Sequence, residues 1–246
     1  GVKSPSAAQR YADFMDQEIR RGFVRKVYGI LSLQVLTTLA ICLLFVLNDS
    51  VNRTVRSHRE YLWVAYGTTL FCIIAMACCD GVRRSFPMNY IFLSIFTLAE
   101  SYLVGTISAF YDTRSVVLAL GATAIVTVTL TIFAFQTKYD FTRMGGALIA
   151  VLIVFIFMGL IAAIFRTPTM QLVYAAIGAV IFSVFIVYDT QLLMGGKHRK
   201  YRISPDEYVF AALNIYLCAL CLSPSPLESR RADPKRRSDI VNLFIY

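Results

Sequence analysis

Two acidic residues, Glu100 and Asp189, lie inside long apolar stretches of this 246-residue sequence. An ionised carboxylate at the centre of a bilayer costs about 2.5–3.5 kcal/mol on insertion scales, so such a group is normally protonated, paired or turned toward a water-filled cavity. The two histidines, His58 and His198, lie outside the apolar stretches. A metal-hydrolase centre built on intramembrane histidine and a serine–histidine pair are therefore excluded. The chemistry that remains is carboxylate chemistry: binding cations and moving protons.

Small and polar residues recur around Glu100 at spacings of three or four. They are Ser94, Thr97, Ser101, Gly105 and Ser108. This spacing forms a stripe down one side of a helix and favours an inward position for the acid. The alternative is a neutral glutamic acid hydrogen-bonded to another helix, with the small residues only allowing close packing. Asp189 has its own alternative, as an anchor at the membrane interface.

The elements that carry these acids follow from composition. Hydrophobic residues make up 57% of the chain and charged residues 16%, and the mean hydropathy is +0.63. A soluble domain carries about 25% charged residues. Apolar runs of about 20 residues cross a hydrocarbon layer of roughly 30 Å. Such runs lie at Val27–Leu47, Tyr61–Cys79, Asn89–Tyr111, Val116–Thr137, Gly145–Phe165 and Leu172–Met194, and a shorter one at Tyr208–Leu222.

These runs predict one all-α polytopic domain that crosses a membrane six or seven times. None of the seven Pro falls inside a run, and the alternation of a β-barrel is absent. The connections are too short for a soluble domain. We therefore divide the chain into an N-terminal segment, residues 1–26, and a transmembrane bundle, residues 27–222.

The distribution of basic residues predicts the orientation. The N-terminal segment and the loops after runs two, four and six hold 14 Lys and Arg, whereas the loops after runs one, three and five hold 5. The positive-inside rule then places the N-terminus in the cytosol. The only two glycosylation sequons, at Asn48 and Asn52, fall on the lumenal side of this arrangement. The net charge of +9 is explained by topology and anionic lipid headgroups and does not require nucleic acid.

The six cysteines do not form a recognisable disulfide or zinc pattern. Cys218-x-x-Cys221 has no second pair or histidine at ligand spacing. We expect no cofactor and no permanently bound metal. Downstream of run six, Ser204-Pro205-Asp206-Glu207 has the order of a capping box, with proline at the first helical position, and predicts a helix start.

Several short motifs occur in an order that matches a known family. They are Phe96-Thr97-Leu98, Gly105-Thr106-Ile107-Ser108, Phe135-Gln136-Thr137-Lys138-Tyr139-Asp140-Phe141-Thr142, Tyr188-Asp189-Thr190-Gln191, Ile203-Ser204-Pro205-Asp206-Glu207-Tyr208 and Asp239-Ile240-Val241-Asn242-Leu243-Phe244. With these motifs the chain resembles the transmembrane Bax inhibitor motif family, and its Lifeguard branch most closely. The motifs cover roughly residues 20–217 and the last eight.

The resemblance implies a bundle of six helices around a central seventh, in the endoplasmic reticulum or Golgi membrane. It implies a pH-sensitive calcium leak, or a Ca²⁺/H⁺ exchanger, that suppresses cell death. It pairs Asp189 of helix six with Asp239 of helix seven, and an arginine that engages this pair corresponds to Arg83, with Arg84 adjacent. Calcium is then the transported ion, held transiently at the two aspartates, with Glu100 as a further acid of the pathway.

Physical chemistry supports such a pair as a pH sensor. Two carboxylates close together in a low dielectric cannot both ionise cheaply, so they share a proton and titrate as a coupled pair. When the shared proton leaves, repulsion separates the helices and the freed oxygens can take a cation. Two carboxylates fall far short of the six to eight oxygen ligands usual for Ca²⁺, so the expected site is transient.

The chain departs from the family pattern at the second aspartate. The family places Asp-Ile-Val-Asn-Leu-Phe directly after Asn-Ile-Tyr-Leu, but here residues 218–238 separate Leu217 from Asp239. This stretch has three Pro and five Lys and Arg and is predicted to be an insertion, which leaves residues 239–246 as a displaced remainder of helix seven. Cys218 then takes the helical position of the aspartate. The hypothesis that follows is poor conduction, or conduction without pH gating.

Two other functions remain open from the sequence. The first is a non-conducting membrane regulator that binds receptors or apoptosis factors. The second is an intramembrane aspartyl protease, because Tyr188-Asp189 resembles half of the presenilin signature. The other half, Gly-x-Gly-Asp, is absent because Asp239 follows Arg236-Arg237-Ser238. The sequence therefore favours a protein that is not an enzyme.

Overall fold

Nine α-helices and one 3-10 turn make up the described part of this computed structural model. Residues 7–58, 60–110, 113–165, 167–195, 203–204 and 207–222 are described, and no strand occurs among them. The helices are α1 (Ala7–Leu47), α2 (Asp49–Ser57), α3 (Glu60–Cys78), α4 (Asp80–Arg84), α5 (Met88–Ser108), α6 (Thr113–Gln136), α7 (Gly145–Phe165), α8 (Pro168–Met194) and α9 (Tyr208–Leu222). The 3-10 turn, Phe141–Met144, leads into α7.

The predicted transmembrane runs correspond to α1, α3, α5, α6, α7, α8 and α9. Six helices are long and apolar enough to cross a membrane, and α9 is a shorter apolar helix. The bounds of Gly145–Phe165 and Tyr208–Leu222 are reproduced. The largest difference is at α1, which begins at Ala7 rather than near Val27. A helix satisfies its backbone hydrogen bonds internally, so α1 can extend beyond the membrane into a stretch that is no longer apolar.

The last helix, α9, occupies the middle of the bundle. Nine of its side chains are buried, and they cover most of the circumference of the helix: Val209, Ala211, Ala212, Leu213, Ile215, Tyr216, Cys218, Ala219 and Leu222. On the remaining side Phe210, Asn214 and Leu217 are partly buried and Cys221 is exposed. It packs against α1, α5, α6 and α8, whereas the main partner of α3 is α5 and that of α7 is α8. The expected all-α bundle with a central seventh apolar helix is confirmed.

The outer faces of the bundle are apolar and uncovered. Leu36, Phe71, Ile153 and Ile164 are among many large hydrophobic side chains that the chain itself does not bury. In water an apolar surface of this extent would drive association, whereas in a bilayer it faces hydrocarbon. The protein is therefore an integral membrane protein.

Side-chain contacts gather the basic loops at one end of the bundle. The Arg20 guanidinium on α1 donates to the carbonyl of Ile203, 2.8 Å away, just before α9. Lys26 lies over the ring of Tyr208 at the start of α9. The N-terminal half of α1 and the segment that follows α8 therefore lie at the same end, as the charge pattern requires.

The short helix α2 lies at the opposite end of the bundle. Asn52 donates to the carbonyls of Phe45 and Ala109, at 2.9 and 3.3 Å, and Arg56 donates to the same Ala109 carbonyl at 2.6 Å. These bonds satisfy carbonyls that the ends of α1 and α5 leave without partners. Asn48 is the N-cap of α2, and its side chain accepts from the amides of Ser50 and Val51.

Candidate functional site

Asp189 lies on α8 at the interface with the central helix. Only 7% of the residue is exposed, and the next two residues, Thr190 and Gln191, are fully buried. The Cys218 thiol on α9 donates to its Oδ2 atom over 3.6 Å. The neighbouring side chains on this interface are apolar: Ile186 and Leu222 belong to one buried cluster with Cys218. An acid in these surroundings has a polar partner but little access to bulk water.

Cys218 stands where the family pattern would place its second aspartate. Asn214 and Cys218 are four residues apart and share a face of α9. The helix continues through Cys218 to Leu222 without a break, so residues 218–222 extend the span rather than begin a loop. Asp239, the predicted partner of Asp189, lies outside the described residues. Within the described part, the partner of the acid is a thiol.

Gln191 belongs to a motif quoted from the sequence but was not predicted as a site residue, yet it connects two of the motifs. Its Oε1 atom accepts from the Phe141 amide at 2.8 Å, and its Nε2 atom donates to the Tyr139 carbonyl at 3.0 Å. One buried amide side chain thus binds one N–H group and one carbonyl group of the α6–α7 loop backbone. Since Gln191 is two residues from Asp189, the acid and the α6–α7 loop are fixed to the same segment of α8.

The same segment is fitted closely against α7 and α1. A Cβ atom placed on Gly145 would lie 2.6 Å from the Tyr188 hydroxyl oxygen, so a larger residue there would require the Tyr188 ring to move. The Tyr28 hydroxyl on α1 and the Thr190 hydroxyl are 3.5 Å apart and share a hydrogen bond. Residues 188–191 therefore contact four neighbouring elements in four successive positions: α7, α9, α1 and the α6–α7 loop.

The two candidate arginines lie on α4 and form ion pairs with the start of α9. Glu207 Oε1 lies 3.1 Å from Arg83 and 2.7 Å from Arg84, and Arg83 also pairs with Asp80. Arg83 and Glu207 are about one-sixth exposed, so their pair is largely shielded from water. Among the described contacts, both arginines pair with Glu207, while the carboxyl group of Asp189 contacts Cys218.

The capping box that the sequence predicted at the start of α9 is only partly described. The Glu207 amide donates to the Ser204 carbonyl at 3.0 Å, which closes a turn directly before α9. Pro205 and Asp206 lie outside the described residues. The Glu207 side chain is directed into the arginine pair, so this residue joins α9 to α4 as well as opening the helix.

Glu100 occupies a separate position, half-buried on α5. On α3, which packs against α5, the buried Thr69 hydroxyl makes no hydrogen bond among the described residues.

The polar stripe beside Glu100 forms a buried ladder between α1, α5 and α9. Gln34 donates to the Thr97 hydroxyl at 3.0 Å, and the Thr38 hydroxyl shares hydrogen bonds with Ser101 at 2.9 Å and Tyr216 at 2.5 Å. Of the five stripe residues only Ser94 is exposed, and its hydroxyl donates to the carbonyl one turn earlier. The inward stripe is confirmed at its other four positions.

No group of three or more His, Cys, Asp or Glu side chains in the described part of the chain is placed to hold a metal ion. The arrangement around Asp189 supplies one carboxylate and one thiol. Ca²⁺ takes six to eight oxygen ligands, and a thiol is not among those it prefers. What these side chains can do is bind a cation weakly and exchange a proton.

The fold and the site define a polytopic helical membrane protein with a buried acid at the central helix. The family described as "Inhibitor of apoptosis-promoting Bax1" matches residues 20–222, which is most of the chain. The chain belongs to this Bax inhibitor family. The match ends with α9, so residues 223–246, with Asp239, lie beyond it.

Curated relatives place the chain near the Lifeguard proteins. It is 39% identical to mouse protein lifeguard 3 over 87% of this chain and 70% of the relative, and 40% identical to the human protein of that name over 82% and 65%. Mouse protein lifeguard 4 is 36% identical over 93% of this chain and 83% of its own length. The resemblance to the Lifeguard branch is confirmed. The chain spans about two thirds of the lifeguard 3 proteins that it matches.

Proposed function

We propose that this protein is a calcium leak, or Ca²⁺/H⁺ exchanger, of an endoplasmic reticulum or Golgi membrane that suppresses cell death, with its N-terminus in the cytosol. The observation that carries the proposal is the buried Asp189 carboxylate at the interface of α8 with the central α9. A carboxylate in this position is expensive to keep ionised, and such groups mark ion pathways and proton relays. Membership of the Bax inhibitor family supports the role in cell death.

The thiol opposite Asp189 changes how the acid would work. A protonated Asp189 is neutral and can remain in contact with Cys218 at little cost. When Asp189 loses its proton, a single carboxylate faces a neutral thiol, so repulsion between two acids does not drive the helices apart. The ionised oxygens can still attract a cation. We therefore expect a weak, proton-coupled calcium flux that is smaller than that of a true aspartate pair.

Two sets of contacts join neighbouring elements near Asp189 and at the start of α9. Gln191 holds the α6–α7 loop to α8, and the pair of Arg83 with Glu207 holds α4 to the start of α9. Both ties lie toward the end of the bundle that the charge pattern places in the cytosol. If the bundle opens on that side, at least one of these contacts must lengthen.

Calcium flux into liposomes containing the purified full chain tests the proposal. We expect a flux in the wild type that depends on pH, and its loss in Asp189→Asn. Cys218→Asp should increase the flux and steepen its pH dependence, because it restores a second acid. Leu220→Asp is the matched control, since it places an acid on the opposite side of the same helix, two residues from Cys218. Equal fluxes for wild type and Asp189→Asn would overturn the proposed pathway.

The same assay decides between this proposal and a non-conducting regulator that binds receptors or apoptosis factors. The thiol at position 218 favours the regulator, because it removes one of the two acids of the pair. A regulator predicts no flux in the wild type and a flux only in Cys218→Asp. If Asp239→Asn alone abolishes an ordinary pH-gated flux, the aspartate pair forms despite residues 218–238.

A further inference from the structure

A groove of about 800 Å³ runs along the outside of α1, beside the start of α9. One face of α1 lines it, and the ring of Tyr208 closes one side. The lining residues on this face recur at spacings of three and four: Ile19, Gly22, Lys26, Gly29 and Leu33. Residues at this spacing lie above one another on a helix. The groove is therefore a continuous furrow along α1 rather than a pit between loops.

Two glycines leave the floor of the groove empty. A Cβ atom placed on Gly22 or Gly29 meets nothing within 4 Å, so neither glycine makes room for another part of the described chain. This contrasts with Gly145, where Tyr188 fills the space. Glycine inside a helix costs about 1 kcal/mol relative to alanine. At Gly22 and Gly29 no packing within the described chain compensates this cost, and the space above them is open to an external molecule.

The groove carries positive charge at one level only. Lys26 Nζ lies 4.1 Å from the centre of the Tyr208 ring, which positions the ammonium group by a cation–π contact. Arg25 also lines the groove and is exposed. Among the described ion pairs, none joins Arg25 or Lys26 to a carboxylate. Two cations thus meet the groove without a negative partner from the described chain.

The charged level lies at the start of the first apolar run. Lys26 directly precedes Val27, the first residue of the first apolar run. Further along α1 the lining becomes apolar, ending at Leu33, which is 67% exposed. The distance along the helix from Lys26 to Leu33 is about 10 Å at 1.5 Å per residue. This lies within one leaflet, whose hydrocarbon layer is about 15 Å deep.

We infer that this groove seats one anionic phospholipid, with its phosphate at Arg25 and Lys26 and an acyl chain lying over Gly29 toward Leu33. Charge complementarity selects the headgroup, since basic pockets at the membrane surface bind anionic lipids. The empty glycine floor selects a flexible hydrocarbon chain, because such a chain can follow a shallow furrow along a helix. The inference does not depend on calcium conduction.

Lipid spin-label spectroscopy on the full chain tests the inference. The chain is reconstituted in phosphatidylcholine vesicles that contain a small amount of spin-labelled phosphatidylserine or spin-labelled phosphatidylcholine. The motionally restricted fraction of each label gives the preference of the protein surface for the anionic lipid. We expect phosphatidylserine to be preferred, and Lys26→Gln to lower that preference by about fivefold, the factor that one basic residue near an anionic surface contributes.

Steric variants separate a seated lipid from a diffuse attraction. Gly29→Leu fills the furrow without changing charge and should also lower the preference, whereas Gly121→Leu, at another helical glycine with nothing within 4 Å of its Cβ position, should not. Arg53→Gln, which removes an exposed positive charge at the opposite end of the bundle, is the charge control. A preference that Gly29→Leu leaves intact would overturn the inference. So would displacement of the labelled lipid by inorganic phosphate at constant ionic strength, because the site would then recognise a free anion.

Discussion

The Cys218 thiol on α9 donates to Oδ2 of Asp189 on α8 over 3.6 Å, and both residues are less than one-tenth exposed. This contact places a weak donor against a carboxyl group at the position where a second carboxyl group would make a proton-sharing pair. A thiol can hold a neutral acid in place. It cannot supply the repulsion that would separate two helices on ionisation.

The contact predicts that serine at position 218 is more stabilising than alanine. Cys218→Ala removes the polar partner of a buried acid and should cost about 1–3 kcal/mol of the free energy of unfolding, the usual penalty for an unsatisfied buried group. Cys218→Ser keeps a donor and should remain closer to the wild type. The measurement is the midpoint of thermal unfolding in detergent for each variant.

Cys72 on α3 provides the control for this prediction. It is buried in the apolar cluster around Met76 and Leu213. There a hydroxyl gains little, so Cys72→Ser should be no more stable than Cys72→Ala. If serine and alanine rank the same way at both positions, the contact with Asp189 contributes nothing specific.

Gln191 supports a second prediction, about the loop between α6 and α7. Gln191→Leu keeps the size of the side chain but leaves the Phe141 amide and the Tyr139 carbonyl without their partner, so the loop should open more often. Hydrogen exchange at the Phe141 amide should become faster by about 5- to 13-fold, as expected for the loss of a bond worth about 1–1.5 kcal/mol.

Gln136→Leu serves as the comparison, because Gln136 is exposed at the end of α6, at the edge of the same loop. It should leave exchange at Phe141 unchanged. Equal acceleration in both variants would show that the loop responds to any added apolar side chain rather than to the loss of the Gln191 contacts.

The contacts of Cys218 and of Gln191 differ in how far the sequence could predict them. The membrane spans were predictable because apolar length and the exclusion of proline are properties of a continuous stretch of chain. The position of Cys218 opposite Asp189 followed from helical register, once the family resemblance had aligned α9. The inward face of Thr97 and Ser101 followed from spacing alone.

Contacts between distant parts of the chain did not follow in this way. Gln191 and Phe141 are 50 residues apart, and their bond depends on how the α6–α7 loop folds back onto α8. The pairing of Arg84 with Glu207 spans 123 residues and depends on where α4 meets α9. Neither residue type nor local spacing determines such a meeting. The resemblance directed attention to the arginines, but it did not indicate Glu207 as their partner.

The contact of Gly145 with Tyr188 predicts a steric conflict with a specific rescue. Gly145→Ala would place a Cβ atom 2.6 Å from the Tyr188 hydroxyl oxygen and should destabilise the protein by about 1–3 kcal/mol through overpacking. Tyr188→Phe removes that oxygen and should restore most of the loss in the double variant. Thermal unfolding of both single variants and the double variant measures the coupling.

Gly146→Ala is the matched control, since the adjacent position has nothing within 4 Å of its Cβ. Replacement of glycine by alanine in a helix is otherwise favourable by about 1 kcal/mol. The control variant should therefore be at least as stable as the wild type. A stable Gly145→Ala variant would contradict the close approach of α7 to Tyr188.

The last prediction concerns two arginines that bind one carboxylate but contribute unequally to stability. Glu207 pairs with both, but Arg83 is 17% exposed whereas Arg84 is 53% exposed. An exposed ion pair is worth about 0–1 kcal/mol, and salt screens it. Loss of one partner from a shielded pair leaves a poorly solvated charge and costs more. Arg84→Gln should thus lower the stability slightly, by an amount that disappears at high salt, and Arg83→Gln should lower it more, by an amount that persists.

A double-mutant cycle of each arginine with Glu207→Gln measures the two coupling energies. Equal couplings would mean that burial does not set the strength of the tie between α4 and α9.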